Sequence, residues 1–167
     1  MNSKTKNLAL LSVLTAFALV LSYIESVLPP IYAAVPGVKV GLPNIIIIFT
    51  LYMFSLKYAA AISFIRLLAV ALLFGNVMTL IYSIAGAVLS LAIMYLLKKV
   101  KLFSMVGVSV AGGVFHNIGQ IIVAVIVLQT AEISFYIPVL AISGTLAGIA
   151  VGIIASVLIK NSNKFKF

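Results

Sequence analysis

Hydrophobic positions along this chain gather into six long runs, and the polar positions fall mostly into the gaps between them. The runs cover about residues 8–28, 41–56, 58–74, 77–97, 104–129 and 134–159. A helix crosses a hydrocarbon core of about 30 Å with about 20 apolar residues, within a range of about 17–25. The first and fourth runs fit that length, and the fifth and sixth are long enough to tilt. The second and third are shorter and meet at Lys57. Together they are too long for one helix, so the pattern predicts a tight helical hairpin. The expected fold is an all-α integral membrane protein: one domain over residues 1–167 with six transmembrane helices.

Composition strengthens this reading. The chain is 65% hydrophobic and 8% charged, against about 45–50% and about 25% in soluble domains. A globule of 167 residues cannot bury that much apolar surface, so lipid must cover it. The net charge of +9 has a topological explanation and does not call for nucleic acid. Lys4, Lys6, Lys57, Lys98, Lys99, Lys101, Lys160, Lys164 and Lys166 all fall on one side if both termini are cytoplasmic. That distribution obeys the positive-inside rule. Lys39 alone falls outside, and Arg66 lies within the third run. The N-terminal run resembles a signal peptide in charge and hydropathy, but no good small-x-small cleavage site follows it, so an uncleaved first helix is expected.

The loops differ in character. Residues 28–43, LPPIYAAVPGVKVGLP, hold four of the five prolines and read as a stiff outer loop. FGN at 74–76 reads as a turn and QTAEIS at 129–134 as a short polar loop. In the sixth run Gly144, Gly148 and Gly152 repeat every four residues, a spacing that lets helices approach closely. That approach serves either packing within the chain or an interface with another subunit.

Polar groups at membrane depth are expensive and usually face a bundle interior or a cavity. Arg66 sits about eight residues, or about 12 Å, below the outer end of its run. It either pairs with Glu25 or faces a solute. The stretch AGGVFHNIGQ carries His116, Asn117 and Gln120 on one helical face, because spacings of three and four residues place side chains together. Gly113 and Ala124 extend that face with small residues. Counting along the helix puts His116 about 18 Å from the cytoplasmic end, near mid-bilayer and level with Arg66. These groups either join helices by hydrogen bonds or floor a polar pocket. Thr79, Tyr82, Ser83, Gly86 and Ser90 form a milder stripe. Asn44 and Asn76 are placed at the pocket mouth, with Lys39 above it.

Several chemistries are excluded. The chain has no cysteine and no aspartate, and Glu25 and Glu132 are its only carboxylates. Paired-carboxylate catalysis and aspartate-rich magnesium sites have almost nothing to work with. A lone histidine makes no metal site, and no phosphate-binding glycine loop occurs. No enzyme activity and no cofactor is expected.

The blocks PGVKVGLPNI (36–45), Arg66 followed by LLFGN (72–76), and GVSVAGGVFHNIGQ (107–120), with the six-run layout, resemble the Gx transporter family, whose members are also labelled heptaprenyl diphosphate synthase component I. That family is similar to the substrate-binding S components of energy-coupling factor (ECF) transporters. The resemblance implies a six-helix S-component-like bundle in a bacterial cell membrane. It would bind a vitamin-like solute, or an isoprenoid or quinone precursor, from outside. It would work with a coupling subunit and two ATPase subunits. In S components small residues on the first helix meet the coupling subunit, which points to Ala9, Ser12 and Ala16. The synthase label conflicts with the lack of aspartate, since prenyl chain elongation holds magnesium and diphosphate on aspartate-rich motifs. Two cations, Arg66 and Lys39, would suit an anionic solute. Two other readings stay open: a non-catalytic membrane subunit of polyprenyl diphosphate or quinone biosynthesis, and a self-sufficient transporter.

Overall fold

A computed structural model describes residues 3–27, 41–73, 75, 77–129 and 131–162. The described chain is helical throughout. The helices are α1 (Ser3–Val27), α2 (Asn44–Met53), α3 (Leu56–Leu73), α4 (Val77–Val100), α5 (Met105–Leu128) and α6 (Ile137–Ser162), with a short 3-10 helix at Ala131–Tyr136 leading into α6. Five stretches are long and apolar enough to cross a membrane, and α2 is the exception. The protein is a membrane helical bundle.

The expected second span, 41–56, is thus only a 10-residue helix, about 15 Å long at 1.5 Å per residue. It is too short to cross a core of about 30 Å by itself. A turn at Gly41–Pro43 delays its start, and Phe54 (φ −120, ψ −99) ends it. Its isoleucines face protein: Ile45, Ile46, Ile47 and Ile48 are all buried. Two hydrogen bonds fix its ends. Gly41 N–H, at the left-handed φ of 76° that suits glycine, donates to the Glu25 carboxylate on α1. Lys98 Nζ donates to the Leu51 carbonyl at 2.6 Å, satisfying one of the orphan carbonyls at a helix C-terminus.

Local signals set the other boundaries. Ser104 caps α5, its hydroxyl accepting from Gly107 N–H at 3.1 Å. Gln129 ends α5 with φ 50°, a left-handed C-terminal residue. The expected loop at 129–134 and the start of the sixth run became the 3-10 helix, and Pro138 sits in the first turn of α6, where its missing N–H costs little.

Helix α5 is the centre of the bundle. A Cβ at Gly119 would lie 2.8 Å from the Ala85 carbonyl oxygen, and one at Gly86 would lie 2.7 Å from that of His116. On another face, a Cβ at Gly144 would lie 2.8 Å from the Gly113 carbonyl oxygen and one at Gly148 would lie 2.5 Å from Val110 Cα. The glycine repeat of α6 therefore packs within the chain. These pairings run antiparallel, so the ends of α4 and α6 meet the start of α5. Lys57, Lys98, Lys99, Lys101 and Lys160 fall at this basic end of the bundle.

The main apolar core lies in the half nearer that end. It joins Ile48 and Leu51 of α2 to Leu14, Ile62, Leu91, Met94, Val108 and Val151. A smaller cluster, Ile121 and Leu140 with Val125 and Ile133, lies toward the opposite end. Between the two is a hollow.

Candidate functional site

The hollow is a cavity of about 450 Å³, within the 300–1,000 Å³ typical of small-molecule sites. Each wall follows from a helical period. On α3 the buried residues are Ala59, Ile62, Ser63, Arg66 and Leu67. These recur at three and four residues, so Arg66 is carried on the inward face by the apolar positions below it. Only 8% of its surface is exposed, and its Nε is buried with no hydrogen-bond partner. Glu25 lies close enough to act on it electrostatically. Arg66 thus lines the cavity with Glu25 near it, while its Nε itself is enclosed by protein.

Helix α5 supplies the second wall, with Gly113, His116, Asn117, Gln120, Ile121 and Ala124 all lining the cavity. Asn117 Nδ2 donates to the Leu140 carbonyl of α6 at 2.7 Å, so this side chain does join helices. Gln120 Nε2 lies 3.3 Å from His116 Nε2. That distance lets the amide and the imidazole share a hydrogen bond. His116 Nδ1 is buried beside the Gly86 backbone without a partner of hydrogen-bonding geometry.

The remaining walls are Ser22 and Glu25 from α1, Asn44 at the start of α2, Thr79, Tyr82 and Ser83 from α4, Ile133 and Tyr136 from the 3-10 helix, and Leu140 and Gly144 from α6. Arg66, His116, Asn117, Gln120, Asn44, Tyr82 and Glu25, all expected from the sequence, thus meet around one space. Lys39 and Asn76 lie outside the described residues. Ala9, Ser12 and Ala16 are on the exposed face of α1, away from the cavity. Sequence reasoning missed Ser22 and Tyr136. Ser22 stands three residues before Glu25, a spacing that could have flagged it. Tyr136 was hidden because residues 134–136 read as the start of a span. Among the described residues no three metal-ligating side chains converge.

Fold and site together define a helical membrane protein with an apolar core in one half and, in the other, a solute-sized cavity whose mostly apolar lining carries several polar side chains. The family model for heptaprenyl diphosphate synthase component I matches residues 14–158, and the chain belongs to that family. Comparison with curated proteins and with solved structures finds no match.

Proposed function

We propose that this chain is the solute-binding membrane subunit of an ECF-type importer in a bacterial cell membrane. It captures a small molecule from outside, a vitamin-like compound or an isoprenoid or quinone precursor. The observation that carries this reading is the cavity itself, lined by the nearly buried Arg66 together with His116, Asn117 and Gln120.

In this reading the basic end of the bundle is cytoplasmic, in keeping with the positive-inside rule. Both termini lie on that side, and the cavity opens outward. The chain contributes binding and no covalent chemistry. ATP hydrolysis belongs to two partner ATPases, and the exposed face of α1 around Ala9, Ser12 and Ala16 meets the coupling subunit.

The test is co-purification. The protein extracted in mild detergent is expected to carry a small molecule, identified by mass spectrometry, that Arg66→Ala no longer retains. Equal retention by both would remove the cavity from the account. The family description favours a second reading, a non-catalytic membrane subunit of heptaprenyl diphosphate synthesis. Isolation with a soluble prenyltransferase and without ATPases would support it over the first.

A further inference from the structure

Beneath the floor of the cavity lies a second, much smaller recess. Its volume is about 20 Å³, enough for one water molecule, which needs about 10–15 Å³. Asn44, Gly113 and Ala147 line both spaces, so the recess adjoins the cavity. Its polar walls are Asn44 of α2, Ser90 of α4 and Ser109 of α5. Hydroxyls on helices can bond back to their own backbone, and several here do. Ser22 donates to the Ala18 carbonyl at 2.8 Å, Thr50 to that of Ile46 at 2.7 Å and Thr145 to that of Ala141 at 2.8 Å. Ser90 and Ser109 are as deeply buried as Ser22, each 4% exposed. Neither forms such a bond to the described residues, and no hydrogen bond joins the two. A buried hydroxyl left without a partner is costly, and here two of them border one small space.

We infer that the recess binds a single water molecule, held by Ser90, Ser109 and Asn44. A buried water typically makes about three hydrogen bonds to polar groups that would otherwise go unmet. The two hydroxyls can each donate or accept, and the Asn44 amide offers both functions. The walls are too close for a larger guest. A Cβ at Gly112, which also lines the recess, would lie 3.3 Å from Ser90 Oγ and 2.7 Å from Met94 Sδ. The three partners come from three helices. Helix α2 packs mainly on α3 and α6, so the water is its polar tie to the α4–α5 pair. Because Asn44 also lines the cavity, the same water steadies one polar group of the cavity floor.

The experiment uses the full chain. A crystal structure grown from a lipid mesophase, at a resolution that shows ordered waters, is expected to place one peak within hydrogen-bonding distance of Ser90 Oγ and Ser109 Oγ. No peak there overturns the inference. Soaking with thallium tests the other small guest: an anomalous signal in the recess marks a monovalent cation and overturns the water. In lipid nanodiscs, Ser90→Ala and Ser109→Ala are each expected to lower the melting temperature by about 2–4 °C. The double variant is expected to lose clearly less than the sum, because both hydroxyls serve one guest. Additive losses, or a rise in either single variant, overturn a shared water. Asn44→Ala should couple to Ser109→Ala in the same way, and additivity there overturns the part given to Asn44. The wild-type structure decides the matter even if a variant fails to fold.

Discussion

The two halves of this bundle are built from nearly the same apolar alphabet and solve opposite problems. In the half around α2, Ile48 and Leu51 are wholly buried, and the core they form draws on all six helices. In the other half the helices keep a space of about 450 Å³ among them and hold an arginine against it. The packed half gains dispersion contacts wherever side chains interdigitate. The hollow half gives up such contacts and tolerates an unpaired donor. On the proposed reading stability and binding are therefore spatially separated, and substitutions in the two halves should move different observables.

The largest expected effect is in the packed half. Leu51→Ala should destabilise the protein by about 2–5 kcal/mol, the usual range for a buried leucine that leaves a void. In chemical unfolding the midpoint should fall sharply while solute affinity per folded molecule stays unchanged. A change in affinity without loss of stability would break the division.

The hollow half should respond in the opposite sense. The double variant Arg66→Met with Glu25→Gln removes both charges from the walls. Replacing buried charges by neutral groups is often neutral or stabilising by about 1–4 kcal/mol. The solute-free protein should melt at the same temperature or higher, and binding should be lost. A large drop in melting temperature would show that these charges build the fold. Such a trade is common where a site is kept at the expense of stability.

The smallest effect tests the border between the halves. Asn117 lines the cavity and also donates to the Leu140 carbonyl. Asn117→Leu should cost about 0.6 kcal/mol, the average for an interhelical hydrogen bond within a membrane. Solute affinity per folded molecule would show whether it also touches the solute: an affinity unchanged in Asn117→Leu would assign it to packing alone.

Much of this arrangement was legible in the sequence. Charge spacing located the turns, and hydropathy located the five long helices. The convergence of Arg66 with His116 and Gln120 followed from counting depth at 1.5 Å per residue. What could not be read has physical causes. Hydropathy cannot distinguish an isoleucine against lipid from one against protein, so the run around Ile45–Ile48 read as a full-length span although its helix has ten residues and its isoleucines are buried. The partner of Asn117 is a backbone carbonyl, which every residue carries, so no side-chain pattern could announce it. The mouth was misjudged at Tyr136, because a 3-10 segment and the α-helix that follows it share one apolar run.

The glycines of α5 carry one last consequence. Backbone touches backbone on both of its sides, at Gly86 with Gly119 and at Gly113 with Gly144, and close-packed interiors have little compressibility. The wall that bears His116 and Gln120 is thus an anvil, stiff against α4 and α6 alike. Helix α1 meets the rest with few buried residues, Leu14, Ala18 and Ser22 among them, and leaves Phe17, Val20 and Ile24 outside. On the proposed solute-binding reading, a solute that fills the space would press most easily on the more loosely packed side, where α1 and α3 meet. On that reading, news of an occupied cavity would leave the molecule through its softest wall.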